Sequence, residues 1–279
     1  LFFTTEGIGD YLAGVILFDE TFRQRDSDGT PFVQLLQDRG VMPGIKVDMS
    51  TKPMPKHGEE VFTQGLDGLA ERLEEYAAGG ATFTKWRSVV RIGEDMPSDM
   101  NLRENAVAMA HYAAAVQEAG MVPIVEPEVL LGGSHSIEAA EEVTTKTLQV
   151  VFEELQHYKV DLAGAVLKSS MVLAGDGAER QSTPEEVAEA TLRTFAAAVP
   201  ENLPSIVFLS GGQTPEQATD NLRAIASVNQ GPWQISFSYA RALQGPSLEI
   251  WRGEAANIPA AQETFLERLQ QTAAARDGK

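Results

Sequence analysis

The sequence predicts an α/β fold in which helices cover a parallel β-sheet. Seven short segments rich in apolar and β-branched residues alternate with longer segments whose apolar residues recur at helical spacing. Near-continuous apolar strands are typical of parallel sheets, because both faces of such a sheet are buried. The predicted strands are Leu12–Phe18, Val41–Val47, Ala81–Val89, Met121–Val125, Leu162–Leu167, Ile206–Leu209 and Ile235–Tyr239.

The predicted helices between these strands show an apolar face and, in two cases, a capping sequence. Thr183 and Thr214 are each followed by proline and, at the third helical position, by Glu186 and Gln217. Such a threonine hydroxyl caps the first turn, and the Glu or Gln side chain caps in return. The apolar faces comprise Leu66, Leu69, Leu73 and Tyr76; Ala188, Leu192, Phe195 and Val199; and Ala218, Leu222 and Ile225.

A sheet of this kind is either an open doubly wound sheet or a closed barrel. No Gly-x-Gly-x-x-Gly turn follows an early strand and no Gly-Lys-Ser/Thr loop occurs, which disfavours a nucleotide-binding open sheet. Two long loops, 49–65 and 169–182, follow predicted strands, where barrel enzymes carry functional loops. We therefore predict one (β/α)8 TIM barrel domain over residues 1–279, with seven of its eight strands recognisable.

Composition excludes several classes of function. The 279 residues include 22 basic and 40 acidic ones, a net charge of −18 that disfavours nucleic acid and anionic membranes as partners. Without cysteine there is neither a disulfide nor a thiolate nucleophile, and no apolar run is long enough to span a membrane. The four histidines lack the short spacing of metal ligands. We expect a cytoplasmic protein with neither metal nor cofactor.

Charged and polar side chains recur where the predicted strands end. In a barrel these ends meet at one mouth, so the side chains are expected to share a pocket. A solvated strand end or a surface ion pair explains any one of them equally well, but it explains their coincidence poorly. In chain order the groups are Lys46 with Asp48, Lys85 with Arg87, Glu126 with Glu128, Lys168, Ser210-Gly211-Gly212, and Ser238 with Arg241.

Lys168 and Glu126 are the candidates for chemistry. An apolar run precedes Lys168, and both burial and nearby cations lower a lysine pKa, which favours the neutral amine that forms Schiff bases. Glu126 ends an apolar strand, a setting that suits proton transfer. The structural alternatives are a rim lysine paired with a glutamate, and glutamates paired with Lys85 or Arg87.

Two segments near the C-terminal end are candidates for phosphate binding. Ser210-Gly211-Gly212 joins a strand to a capped helix, where glycine lets backbone N–H groups close around an anion. Ser238 and Arg241 add a hydroxyl and a guanidinium after the next strand. Barrels often bind phosphate in the loops after their last two strands, so the two segments support one another.

The sequence resembles the class I fructose-bisphosphate aldolases over nearly its whole length. The matching segments, in the family's order, are Gly44-Ile45-Lys46-Val47-Asp48, Thr63-Gln64-Gly65-Leu66-Asp67-Gly68, Phe83-Thr84-Lys85-Trp86-Arg87, Val125-Glu126-Pro127-Glu128, Leu167-Lys168, Phe208-Leu209-Ser210-Gly211-Gly212-Gln213 and Phe237-Ser238-Tyr239-Ala240-Arg241-Ala242-Leu243-Gln244. The resemblance implies an aldehyde-lyase of glycolysis and gluconeogenesis that cleaves fructose 1,6-bisphosphate reversibly through a lysine Schiff base. It also implies sugar phosphates as small-molecule partners and a homo-oligomer, commonly a tetramer.

The resemblance also implies roles for individual residues. Lys168 would be the Schiff-base lysine and Glu126 the general acid/base, with Lys85 and Glu128 as catalytic neighbours. Lys46 and Arg87 would face the phosphate of the aldehyde product. The residues implied for the ketose-end phosphate are Ser210, Gly211, Gly212, Ser238 and Arg241.

The sequence departs from the family pattern in four places. The family's first strand, with its Ala-Asp-Glu-Ser motif, has no counterpart, nor has its C-terminal tyrosine tail, so we expect a fragment in which Leu12–Phe18 and Ile235–Tyr239 flank a gap. Ser169 and Ser170 follow the lysine where many relatives have proline and asparagine, and Ala240 replaces a usual glycine.

Two alternatives to the aldolase function stay open. One is another Schiff-base barrel lyase or a transaldolase, and the other is a sugar-phosphate-binding barrel without turnover.

Overall fold

The structure is a computed structural model that describes residues 1–279. Its main sheet has seven strands in the order β1-β2-β5-β6-β7-β8-β9, and every neighbouring pair is parallel. The predicted parallel α/β architecture is therefore confirmed. The strands are β1 (Gly14–Leu17), β2 (Met42–Lys46), β3 (Thr51–Pro53), β4 (Val61–Thr63), β5 (Phe83–Val90), β6 (Val122–Val129), β7 (Val166–Ser169), β8 (Ser205–Phe208) and β9 (Gln234–Phe237).

Helices connect the strands and pack on the outside of the sheet. Both predicted capping boxes are formed: the Thr183 hydroxyl accepts from the Glu186 N–H at 3.3 Å and the Thr214 hydroxyl from the Gln217 N–H at 3.2 Å. The helices are α1 (Asp19–Arg23), α2 (Phe32–Gln37), α3 (Leu69–Ala78), α4 (Asp99–Glu118), α5 (Ile137–His157), α6 (Pro184–Ala198), α7 (Pro215–Val228), α8 (Arg241–Trp251) and α9 (Ile258–Arg276).

The core lies between this helical layer and the sheet. Trp86 of β5 stacks on Tyr112 of α4 with ring centroids 5.3 Å apart, and Phe195 of α6 stacks on Phe208 of β8 at 5.8 Å. All four side chains are fully buried. Their burial fixes which face of each strand packs outward, so that the alternate side chains of β5 and β8 face the inside of the curled sheet.

Strand register brings the charged residues to the same level of the sheet. Lys46 of β2 lies beside Lys85 of β5, and Arg87 of β5 lies beside Glu126 of β6. Val125 of β6 pairs with Leu167 of β7, so the next residues, Glu126 and Lys168, are adjacent at the end of that pairing. Since side chains two apart share a face, these polar side chains converge on the mouth.

The sheet curls until its two edges face each other. A cavity of about 250 Å³ is lined from one side by Val15 and Ile16 of β1 and from the other by Phe237 of β9. These are the two edge strands, each with a single partner in the sheet. The prediction that Leu12–Phe18 and Ile235–Tyr239 flank a gap is confirmed, and the fold is a barrel with an open seam.

Two segments differ from the sequence prediction. The predicted loop 49–65 contains the antiparallel hairpin β3–β4, which α4 holds in place because the Asn105 amide accepts from Thr63 N and donates to Val61 O. The predicted strand Leu162–Leu167 begins only at Val166, after a 3₁₀ turn over Leu162–Gly164. Packing against α4 decides the hairpin, whereas the Asp161 side chain, which accepts from the Ala163 N–H at 3.0 Å, caps the 3₁₀ turn locally.

Strand β6 also runs further than predicted, so Glu126 and Glu128 lie within it and not at its end. The strand continues through Pro127, although this residue lacks an N–H group with which to donate to a neighbouring strand. The N–H groups of Val122 and Leu130 both donate towards β5, which places the Pro127 nitrogen on the opposite side, towards β7. The ladder with β7 ends at Val125, so the proline interrupts no hydrogen bond.

Candidate functional site

The centre of the mouth is a cluster of three buried charged residues. Glu126 lies between two lysines: its Oε1 is 3.1 Å from Lys168 Nζ and its Oε2 is 3.0 Å from Lys85 Nζ. Lys168 reaches this point because β7 ends there, and only 9% of the residue is exposed. A carboxylate held between two ammonium groups is compensated for its loss of water, whereas an isolated buried charge would be costly.

Asp48 ties a second group of cations to this cluster. Its carboxylate forms an ion pair with Lys46 Nζ at 2.6 Å and accepts hydrogen bonds from Lys85 Nζ at 3.4 Å and from the backbone N–H of Arg87 at 3.2 Å. The side chain is only 4% exposed. Lys85 is thus held by two carboxylates from different strands, and its position is fixed before any ligand enters.

The environment of Lys168 favours its neutral form. Burial lowers the pKa of the Lys168 ammonium below its ordinary value, and the charge of Lys85 lowers this pKa further. The charge of Glu126 acts in the opposite direction and raises it. Because the free amine attacks carbonyl carbon and the ammonium cannot, this environment increases the nucleophilic fraction of Lys168 near neutral pH.

A second ring of side chains lies outward of the cluster. Arg87 pairs with Glu128, so the structural alternative foreseen for these residues is formed. The Arg87 side chain remains 42% exposed, which leaves part of its guanidinium accessible to a ligand. Lys46 Nζ lies 5.7 Å from the centre of the Phe18 ring, a cation–π distance, and Phe18 is exposed at the end of β1.

The 250 Å³ cavity brings together five of the predicted site residues. Its apolar walls come from both sheet edges and from residues near the chain start, including Phe2 and Phe3. The lining does not include Arg87, Glu128, Arg241 or the turn 210–212. The predicted residues that line it are Lys46, Lys85, Glu126, Lys168 and Ser238.

The turn 210–212 follows β8 and precedes α7. Gly211 and Gly212 have φ of +58° and +95°, a left-handed conformation that favours glycine. The Gln213 N–H donates to Ser210 O at 2.9 Å and closes the turn. Gly211 lines a separate cavity of about 20 Å³ beside His135. Arg241 is exposed at the start of α8, and neither it nor the turn 210–212 lines the cavity that contains Lys168.

Sequence reasoning gave Asp48 no role, although it noted the residue at its strand end. Asp48 lies two residues after Lys46, the last residue of β2, and this spacing, which predicts that both side chains point the same way, was the available indication. What the spacing did not reveal is that this carboxylate would meet Lys85 and the Arg87 N–H of the next strand. That contact depends on the register between β2 and β5.

The fold and the cluster define a class: a β/α barrel with a buried lysine beside a carboxylate at the carboxyl ends of its strands. The family model for class-I fructose-bisphosphate aldolase matches residues 1–279. The chain belongs to the class I fructose-bisphosphate aldolase family.

Individual relatives agree with this membership. A probable class 1 fructose-bisphosphate aldolase of Xanthomonas campestris pv. campestris is 48% identical over all of this chain and 84% of its own length. The cytoplasmic isozyme of Spinacia oleracea is 46% identical over all of this chain and 78% of its own length. A solved structure of the Plasmodium falciparum aldolase, in complex with TRAP and a small-molecule inhibitor, superposes with a TM-score of 0.98. It is 45% identical, and the match covers 99% of this chain and 80% of that one.

None of the helices is both long enough and apolar enough to cross a membrane.

Proposed function

We propose that this chain is an aldehyde-lyase that cleaves fructose 1,6-bisphosphate reversibly into dihydroxyacetone phosphate and glyceraldehyde 3-phosphate. The observation that carries the proposal is the buried contact of 3.1 Å between Lys168 Nζ and Glu126 Oε1 at the mouth of an aldolase-family barrel. An amine with a lowered pKa beside a carboxylate is the pair that Schiff-base formation requires.

In the proposed reaction the neutral amine of Lys168 attacks the C2 carbonyl of the ketose. Glu126 takes the proton of the Lys168 ammonium when the free amine forms and returns it to the departing hydroxyl, so that the carbinolamine loses water and an iminium remains. The Glu126 carboxylate then accepts the C4 hydroxyl proton as the C3–C4 bond breaks, and the electrons of that bond pass to the iminium and give an enamine. Glyceraldehyde 3-phosphate leaves, C3 is protonated, and water hydrolyses the new iminium to release dihydroxyacetone phosphate and the free lysine.

The remaining cluster members support these steps electrostatically. Lys85, held by Glu126 and Asp48, keeps a positive charge beside the reacting nitrogen and thereby favours the neutral amine of Lys168. Glu128 holds Arg87 at the outer rim. Lys46 and Arg87 are suited to the phosphate of the aldehyde product, because both reach the mouth and neither is fully buried.

The ketose-end phosphate is assigned to the turn 210–212 together with Ser238 and Arg241. The glycine turn lies before the N-terminus of α7, where backbone N–H groups and the helix dipole attract anions. Ser238 connects the two regions, since it lines the same cavity as Lys168 while its N–H donates to Phe208 O at 2.8 Å.

Three further properties belong to this proposal. Residues 1–279 form one barrel domain, supported by a core cluster that includes both Ile8 and Leu269. The protein acts in the cytoplasm, as the names of its relatives from Spinacia oleracea and Arabidopsis thaliana state for those proteins. It assembles into a homo-oligomer, a tetramer by family resemblance, which size-exclusion chromatography with light scattering measures directly.

Reductive trapping tests the central assignment. Borohydride added with dihydroxyacetone phosphate should convert the iminium to a stable secondary amine on Lys168, which peptide mass spectrometry locates. The Lys168→Met variant should take up no label, while Lys159→Met, which removes a surface lysine, should be labelled like the parent chain. Label on another lysine with Lys168 untouched would overturn the assignment. Cleavage activity should also persist in EDTA, because no proposed step uses a metal.

A further inference from the structure

Arg268 is a buried arginine surrounded by neutral hydrogen-bond acceptors. It lies on α9, and 8% of the residue is exposed. One Nη donates to Pro215 O at 3.0 Å and to the Thr219 hydroxyl at 2.8 Å, and the other donates to the Gln271 amide oxygen at 2.6 Å. Its Nε is buried without a partner. A guanidinium remains charged in proteins, so this side chain is a buried cation.

Two of these contacts reach the first turn of α7. Pro215 is the first residue of that helix and follows Gly212 by three positions. A cation at this end of a helix opposes the helix dipole, whose positive end is the N-terminus. The charge of Glu216, in the same helical turn, favours the guanidinium and offsets part of the cost of this arrangement, and an anion bound at the adjacent glycine turn would offset more.

The same helical turn is held from a second side by the strand that carries Ser238. The Tyr239 hydroxyl donates to Ala218 O at 2.8 Å, and burial raises the pKa of this phenol, so it remains a donor. Tyr239 follows Ser238 directly and precedes Arg241 by two positions. The two segments assigned to the ketose phosphate are thus tied to each other through the first turn of α7.

We propose that Arg268 is a positioning residue for the ketose-phosphate site, acting through the first turn of α7 on the turn 210–212. From α9 it holds Pro215 and Thr219, and it adds positive charge near the glycine turn. The inference rests on the proposed aldolase function, because that function assigns a phosphate to this turn. It predicts an effect on phosphorylated ligands that is absent for the same ketone without phosphate.

Comparing two ketones isolates this effect. Borohydride trapping on Lys168 is measured as a function of the concentration of dihydroxyacetone phosphate and of unphosphorylated dihydroxyacetone. In Arg268→Met the concentration for half-maximal trapping should rise about tenfold for the phosphorylated ketone and stay within about twofold for dihydroxyacetone. Arg268→Lys, which keeps the charge but loses the planar fork, should recover part of the loss. Arg223→Met, on the exposed side of α7, should change neither value.

A milder substitution covers the case in which Arg268→Met does not fold. Thr219→Val removes only the hydroxyl that accepts from Arg268, and it should raise the concentration for dihydroxyacetone phosphate selectively, by about threefold. Thr272→Val is the matched control, because its buried hydroxyl donates within α9, to Arg268 O. Equal losses for both ketones would mean a general structural role and would overturn the proposal, as would no loss for either.

A binding measurement separates this proposal from the aldolase function itself. Millimolar inorganic phosphate should raise the Tm of the parent chain, and the increase should be smaller in Arg268→Met and Thr219→Val than in their controls. That readout requires no Schiff base. If Lys168 is not trapped while the selective loss of the phosphate effect remains, the catalytic assignment fails and the role of Arg268 stands. An equal phosphate effect in all variants would overturn the role of Arg268.

Discussion

The strand-borne cluster and the loop-borne phosphate segments are built by different means. Lys85 and Glu126 come from the interior of long parallel strands, and their charges are neutralised within the protein. The turn 210–212 and Arg241 come from connections after short strands, and Arg241 is exposed. The first region is pre-organised for covalent chemistry, whereas the second presents donors whose anionic partner is a ligand.

The difference indicates which kinetic quantity each region controls. A buried cluster with internal ion pairs changes the reactivity of its members, so its substitutions should act on turnover. Exposed cationic and backbone donors bind ground state and transition state alike, so their substitutions should act mainly on KM. The following predictions test that division.

Removing the nucleophile should have the largest effect. Lys168→Met should lower kcat for fructose 1,6-bisphosphate cleavage by at least about 10⁴-fold, because no other amine is placed to form the covalent intermediate. Lys168→Arg, which keeps a charge beside Glu126, should be equally inactive. Circular dichroism and Tm should confirm that both variants fold. Activity within tenfold of the parent in either variant would place the nucleophile elsewhere.

Removing the two charged neighbours of Lys168 one at a time should shift the pH midpoint of Lys168 trapping in opposite directions. The reactive form is the free amine, so the trapping rate should rise with pH through the pKa of Lys168. Lys85→Met removes a cation that lowers this pKa and should move the midpoint to higher pH. Glu126→Gln removes an anion that raises it and should move the midpoint to lower pH, with a loss of about 10²–10⁴ in kcat. Shifts in the same direction would contradict the geometry.

The exposed arginine should affect binding more than turnover. Arg241→Lys keeps the charge but loses the planar pair of donors that matches a phosphate, so KM should rise about tenfold with kcat nearly unchanged. Arg252→Lys, beyond the end of the same helix, is the control. Steady-state kinetics in low salt checks this. A fall in kcat with constant KM would place Arg241 in the chemistry and remove the distinction between the regions.

The smallest effect is expected at two similar helix caps, where a loss of stability can be compared with a loss of ligand binding. Thr183→Ala and Thr214→Ala should each lower the free energy of unfolding by about 1 kcal/mol, since both hydroxyls complete a capping box. Only Thr214 follows the glycine turn, so only Thr214→Ala should also raise KM, by a few-fold. Urea denaturation and steady-state kinetics on both variants provide the comparison. Equal KM values for Thr183→Ala and Thr214→Ala would show that ligand binding at the turn 210–212 does not depend on the cap of α7.

Most of the fold could be predicted because periodic patterns are local. The seven strands follow from short apolar runs between helical segments, and both capping boxes follow from a threonine with Glu or Gln three residues later. The hairpin β3–β4 was missed, since its strands have three residues each and Asn105 of a distant helix supports them. The continuation of β6 through Pro127 was missed for a related reason. A proline is tolerated in a strand where its nitrogen faces no hydrogen-bond acceptor, and which strand the Pro127 nitrogen faces depends on the arrangement of the sheet.

By itself the sequence determined the order of the seven parallel strands and the helices between them, the inward face of these strands, and the presence of two lysines and a glutamate on that face. Side-chain alternation and capping depend on the nearest residues along the chain, so no further information was needed. Tertiary structure alone decided that Glu126 meets both Lys85 and Lys168, that Asp48 joins them, and that Ser238 lines the cavity while the turn 210–212 and Arg241 do not. These contacts join residues distant in the chain, and the register between parallel strands, which packing sets, places them within 4 Å or leaves them separate.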